Sequence, residues 1–293
     1  MKESGLTSLY PMVQFKKDTW EIDEFDVASM FLLIGSEKAM LIDCGMGIGD
    51  LKKAVRGITD KPLVVVISHG HLDHCGNARQ FDDIWISPAD QDQPIPGDLA
   101  RRRRDTWCIA MRTGGRYPYD LETDLREPDE PMPVIHDLTD GMEFDLGGRI
   151  VTAYDCPGHS PGEMIFLDHA TRSLFCGDAL NYNLTIGATS IEKALPYLRR
   201  MEALGSEYDG IYNGHHDFRP LGAPLGSDCL PNVIDLCGQL LKGTYSPVTV
   251  PSFWGPWSGR PDRTMVCRGR NFLGYDPKHI HEGGEGESSY EGN

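Results

Sequence analysis

The sequence has no surplus of positive charge: 28 Lys and Arg stand against 44 Asp and Glu, a formal net charge of −16. Binding to a nucleic-acid backbone is driven by Lys and Arg, so a nucleic acid is not expected as the main partner, although a local basic site is not excluded. No run approaches the roughly 18 apolar residues of a membrane span. Residues Met1 to Ser8 lack the apolar stretch of a signal peptide, and the expected setting is the cytoplasm. The eight cysteines are scattered and include no CxxC pair. Without a secretory signal such a set reads as reduced thiols, not as a disulfide framework. No internal repeat is visible. With 40% hydrophobic and 25% charged residues over 293 positions, the composition is that of a globular protein able to bury a large core.

What is present is concentrated in one stretch, His69-Gly70-His71-Leu72-Asp73-His74. Four of its six side chains can bind a metal. It follows Leu63-Val64-Val65-Val66-Ile67, an apolar, β-branched run that reads as a buried strand. The ligand-type residues therefore leave a sheet on a short loop, where scaffolds place chemistry. His69 and His71 are two apart, so in extended backbone their rings lie on one side and suit a single ion. Asp73 and His74 are adjacent and need a turn to converge, which suits a second ion. Neutral imidazole and carboxylate are ligands that zinc and its neighbours accept.

The rest of the chain alternates short strands and helices. Val27 to Ile34 and Ala39 to Asp43 form a hairpin pattern around Gly35-Ser36-Glu37-Lys38. Residues 49 to 58 read as an amphipathic helix, and Asp83 to Ser87 as a strand. Residues 89 to 133 are irregular, with a helix near Asp105 to Met111 and an acidic, proline-rich loop from Glu127 to Pro133. Arg101 to Arg104 read most simply as a solvated helix face. Strands or hairpins follow at Gly141 to Gly148, Ile150 to Tyr154, Met164 to Leu167 and Ser173 to Phe175. Ser190 to Leu204 reads as a helix with Ser190 as its cap. Gly210 to Tyr212 is a short strand, and a last helix runs from about Cys229 to Lys242. Residues 282 to 293, mostly Gly, Glu and Ser, read as a disordered tail.

The HxHxDH stretch after an apolar strand resembles the signature of the metallo-β-lactamase fold hydrolases. Three later segments sustain the likeness in order: Pro157-Gly158-His159-Ser160-Pro161-Gly162, Gly177-Asp178 and Gly214-His215. The resemblance covers roughly residues 27 to 220. It implies an α/β fold, a four-layer αββα sandwich, here one domain over 1 to 281 with the 89–133 insert lining the site. It implies that His69, His71 and His159 hold one divalent ion and Asp73, His74 and His215 a second, with Asp178 bridging. Zinc is expected; iron or manganese would also suit such ligands. His216 rivals His215 for the last place. Asp43, in Asp43-Cys44-Gly45, resembles a residue standing behind the metal site, and equally reads as a turn or capping carboxylate. Cys44, Cys156 and Cys176 lie near these loops and read as small buried hydrophobes.

By the same resemblance the reaction is hydrolysis of an ester, lactone, thioester or lactam. A hydroxide shared by two ions attacks the carbonyl, and Asp73 orients the nucleophile or passes a proton. Related persulfide dioxygenases use one iron and much the same histidines, and stand as the alternative; nucleases of the family rank behind. Related flavo-diiron proteins carry Glu where this chain has His71. Quorum-signal lactonases of the family commonly place a Tyr three residues after the bridging Asp; here that residue is Asn181, with Tyr182 one later. Asn181, Tyr182 and Trp107 are the candidates for contact with a small-molecule substrate, and residues 89 to 133 are expected to wall the cleft. Phe253, Trp254, Trp257, Phe272 and Tyr275 resemble the irregular C-terminal strands of some members. They would cover the site, join a homodimer or simply pack a core.

Overall fold

In a computed structural model, residues 5–93, 95–112, 114, 117–217, 219–252 and 262–283 are described. The expectations for Phe253, Trp254, Trp257 and most of the 282–293 tail fall outside them. The N-terminal half opens with β1 (Met12–Lys16), β2 (Thr19–Asp23), β3 (Ser29–Ile34) and β4 (Ala39–Ile42), then α1 (Leu51–Arg56) and β5 (Leu63–Val66). α2 (Leu72–Cys75), β6 (Asp83–Ile86), α3 (Leu99–Arg112) and β7 (Val134–Asp137) complete it. The first four strands form an antiparallel meander, and β4 to β7 continue parallel, giving one seven-stranded sheet.

The second half contributes β8 (Glu143–Asp145), β9 (Ile150–Asp155), β10 (Met164–Asp168), β11 (Ser173–Phe175), β12 (Asn183–Ile186) and α4 (Ile191–Ala203). β13 (Gly210–Tyr212), α5 (Cys229–Lys242), β14 (Val248–Pro251), β15 (Asp262–Arg268) and β16 (Asn271–Tyr275) follow. A five-stranded sheet has the order β13-β11-β10-β9-β8.

Strand alternation explains how the layers assemble, because successive side chains on a strand point to opposite faces. Phe31, Leu33, Met40, Ile42 and Val66 on the first sheet meet Val151, Ala153, Met164, Phe166 and Phe175 on the second. Their neighbours Met30, Leu32, Leu41 and Val65 face the other way, onto Leu51, Ala54 and Val55 of α1 and Leu72 and Cys75 of α2. On the far side, Ile165, Leu167 and Leu174 pack against Ile191, Leu195 and Leu198 of α4 and Leu230 and Val233 of α5. The result is helix, sheet, sheet, helix, as the resemblance implied. α4 begins where Ser190 accepts a hydrogen bond from the Lys193 N–H, the expected cap.

A smaller third sheet was not expected. Its order is β12-β16-β15-β14, and β12 pairs parallel with β16. The C-terminal strands thereby reach back to the segment that follows Asp178. Phe272 is exposed, while Tyr275 is buried with the helices of the second half.

The arginine run needs a correction. Arg101 to Arg104 are all helical, but Arg102 is only 1% exposed. A helix turns about 100° per residue, so four consecutive side chains cannot share one solvated face. Arg102 points inward and donates to the carbonyls of Met46 and Arg126, both at 3.3 Å. The insert is also tied down at Tyr117, whose hydroxyl donates to Asp26 and whose ring stacks on Tyr119.

Candidate metal centre

Four connections converge at one end of the sandwich. His69 and His71 leave β5, and α2 carries Asp73 and His74 round the turn they need. His159 lies between β9 and β10, Asp178 follows β11, and His215 follows β13. The structure brings all seven together. His71 Nδ1 is 2.9 Å from His69 Nε2 and 3.0 Å from His159 Nε2. Asp178 Oδ2 is 3.5 Å from His159 Nε2 and 3.2 Å from His215 Nε2, while its Oδ1 is 3.9 Å from His74 Nε2. Asp73 Oδ2 lies 3.6 Å from His215 Nε2 and 3.9 Å from His74 Nε2. One carboxylate thus stands between an all-imidazole group and a mixed one.

Partners on the far ring nitrogens set which atoms face the centre. His74 Nδ1 donates to Asp43 Oδ2 at 2.9 Å, His159 Nδ1 to the Thr185 carbonyl at 3.1 Å and His215 Nδ1 to the Val27 carbonyl at 2.8 Å. Each leaves Nε2 free to face inward, the usual dress of a metal-binding histidine. Asp43 also accepts from the Ser68 N–H at 2.6 Å and the Ser68 hydroxyl at 2.8 Å, so its carboxylate ties the His74 ring to the loop that carries His69. Gly214 permits the close approach of the last loop: a Cβ there would lie 2.5 Å from His74 Cε1 and 3.1 Å from Asp178 Oδ1.

These residues fit divalent cations. His74 Nε2 and Asp178 Oδ1 are buried and have no hydrogen-bond partner among the described residues. Such orphaned polar atoms are costly in a folded protein, and a cation, displacing any proton on the ring, would satisfy both. The donors are nitrogen and oxygen with no thiolate, a set that suits zinc and its neighbours. Within this centre, three-residue groups able to hold an ion are His69–His71–His159, His69–His74–Asp178 and Asp73–His74–His215; a fourth such group, Asp23–Asp26–His216, lies beside it.

The electrostatics differ within the centre. Burial, reinforced by neighbouring imidazoles, pushes His69 and His71 well below the ordinary histidine range. Burial works against charge at His74 too, but Asp73 and Asp43 outweigh it and hold the ring at about 9. At His215 burial is likewise outweighed, by Asp178 above all, and the ring lies well above the usual value. Asp178 is held well below the carboxylate range despite its burial, chiefly by His215 and His74.

His216, the rival to His215, points elsewhere: its Nε2 bonds Asp26 Oδ1 at 2.8 Å and lies 3.3 Å from Asp23 Oδ1. Asn181 is buried with its side-chain oxygen unpartnered among the described residues. The Tyr182 hydroxyl accepts from the Gly226 N–H at 2.8 Å, and Arg270 lies over its ring at 4.6 Å. Trp107 is half exposed on α3. Two supporting residues escaped the sequence reading. Ser68 is one; Glu163 is the other, fully buried, its Oε1 accepting the Asp178 N–H at 2.9 Å and lying 3.5 Å from His69 Nδ1. The only local signal was position, immediately before His69 and immediately after PGHSPG. Cys44, Cys156 and Cys176 are buried, as expected, and all eight cysteines are unpaired.

A family model described as the metallo-beta-lactamase superfamily matches residues 23–217. The chain belongs to that superfamily. Human acyl-coenzyme A thioesterase MBLAC2 is 27% identical over 194 residues, 61% of this chain and 65% of that protein. An atrochrysone carboxyl ACP thioesterase of Aspergillus fumigatus is 33% identical over 185 residues, 62% of this chain and 48% of that protein. The chain thus spans less than two thirds of the length of these curated relatives. Among solved structures, a metallo-beta-lactamase from Pontibacter korlensis superposes with a TM-score of 0.51 at 16% identity, covering 76% of this chain and 96% of that one. The sec-alkylsulfatase Pisa1 from Pseudomonas sp. gives 0.58 at 16% identity, covering 80% and 42%. At that identity the likeness is one of fold.

Proposed function

We propose that the protein is a hydrolase that uses two divalent metal ions, zinc by preference, to cleave thioesters. The observation that carries the reading is the placement of Asp178 between two ligand groups, with its Oδ1 and His74 Nε2 buried and unpartnered. His69, His71 and His159 would hold one ion, Asp73, His74 and His215 the other, and Asp178 both. When bound, such ions lower the pKa of water and polarise a carbonyl oxygen. The chain's own part is positioning. Asp73 and His215 have the most open side chains of the seven, 23% and 24% exposed, so water and substrate reach the centre on their side. Asp73 there orients the attacking water and takes its proton. Water adds to the thioester carbon, the carbon–sulfur bond breaks, and acid and thiol leave. The thioester is favoured among carbonyl substrates because relatives of this chain bear thioesterase names. No helix among the described residues is long and apolar enough to cross a membrane. A small-molecule substrate and a cytoplasmic setting, where unpaired thiols stay reduced, fit the reading.

The test is metal analysis of protein purified without added metal, followed by thioester, lactone, β-lactam and phosphodiester substrates. Two zinc ions per chain and fastest turnover of the thioester are expected. One iron per chain with oxygen consumption on a persulfide would replace this reading with the dioxygenase one.

A further inference from the structure

Asp90 ends the short turn after β6 and belongs to no motif of the family signature. It is 1% exposed. Its Oδ2 accepts the Gly70 N–H at 2.9 Å and the Ser160 hydroxyl at 2.7 Å, and its Oδ1 accepts the Gly162 N–H at 2.8 Å. Gly70 sits between His69 and His71, and Ser160 and Gly162 flank the turn that carries His159. One buried carboxylate thus takes three donors from two loops that are far apart in sequence. The second loop is pressed against it: a Cβ on Gly162 would lie 2.8 Å from the Asp90 carboxyl carbon.

We propose that Asp90 is the positioning residue of the all-imidazole ion site, fixing the His159 loop against the His69–His71 loop so that the three ring nitrogens converge. The proposal rests on the two-ion reading above. The clamp joins the two loops whose ring nitrogens lie 2.9 and 3.0 Å apart; among the described residues, the Asp90 carboxylate accepts no hydrogen bond from the Asp73, His74 or His215 segments. A carboxylate is needed because three donors converge on it, and an amide offers one oxygen acceptor where two are used. Partners behind a ligand commonly alter metal affinity 10–100-fold.

The experiment is a zinc competition titration with a chelating dye on Asp90→Asn in two backgrounds. His215→Ala leaves the all-imidazole site intact; His159→Ala leaves the mixed site. Asp90→Asn should weaken zinc about 10–100-fold in the first background and less than about 3-fold in the second. Ser160→Ala, which removes one donor of three, should show the same pattern at a few-fold scale and serves if Asp90→Asn does not fold. Equal weakening of both sites, or none in the first, overturns the clamp. An unmutated protein that binds no metal overturns the two-ion reading instead.

Discussion

The two halves of the centre use the same imidazole chemistry in opposite charge states. His69 and His71 are surrounded by other imidazoles and by buried surface, so both are held neutral. His74 and His215 are surrounded by Asp43, Asp73 and Asp178, which outweigh burial and favour their protonated forms. A neutral imidazole ligates without losing a proton; a protonated one must lose it. His69 and His71 are therefore ready to ligate at neutral pH. The mixed group favours protons between its carboxylates, which a bound metal would displace. The difference arises from neighbours, not ligands: histidines near histidines are discharged, and histidines near aspartates are charged.

Removing metal tests both halves at once and should have the largest effect. Prolonged dialysis against a strong chelator should bring thioester turnover to background, and added zinc should restore it. Activity that survives complete metal loss would dissolve the comparison. Next in size is Asp178→Asn, which keeps the shape and removes the charge between the halves. The mixed group should lose its ion, keeping only Asp73, His74 and His215, while three imidazoles still hold the first. Turnover should fall on the order of a hundredfold or more. If Asp178 only caps a turn, Asn caps about as well, and two ions with full activity would show it.

The charge states themselves give the third prediction. A ring with a raised pKa of about 9 is protonated at neutral pH, and metal binding must displace that proton. Affinity of the mixed group should therefore rise about tenfold or more per pH unit as pH climbs from neutral toward about 9, the range over which His74 gives up its proton. The group built on His69 and His71, whose rings are already neutral, should change less over the same range. Calorimetric titration in buffers of different ionisation enthalpy reads the released protons directly. Equal release on loading the first and second ions would erase the distinction.

Much of this was legible in the sequence because it is local. The strands announce themselves by apolar runs and alternation, and Cys229–Lys242 was read to the residue. The seven ligand-type residues sit in four short segments whose turn chemistry is visible. What was not legible depends on which surfaces meet. Asp90 looks like any carboxylate after a strand until the PGHSPG loop folds over it. Glu163 is indistinguishable from a surface acid until its strand packs beside Ser68. Arg102 read as solvated because charge runs usually are, but the Met46 and Arg126 carbonyls and the Glu127 carboxylate receive it on the inward side. The third sheet joins Asn183–Ile186 to a strand roughly ninety residues later, a pairing that no local pattern encodes.

The smallest effect is expected at Trp107, which compares the two faces of α3. Arg102 faces inward and is held by carbonyls; Trp107, five residues on, faces out and is 50% exposed beside Met111 at 58%. An exposed apolar pair spaced by one helical turn gains little from folding, so Trp107→Ala should change stability by no more than about 0.5 kcal/mol. If α3 walls the cleft, the indole contributes contact to the acyl or thiol portion of the substrate without touching the reacting carbon. Such uniform binding alters KM and leaves kcat alone. The loss of part of an aromatic contact predicts a few-fold rise in KM for thioesters with a long apolar acyl chain, and none for acetyl thioesters. Steady-state kinetics on the two substrates, with metal content measured on the same preparation, decide it. An equal change for both, or a fall in kcat, would place Trp107 outside the substrate wall and leave α3 only its inward face.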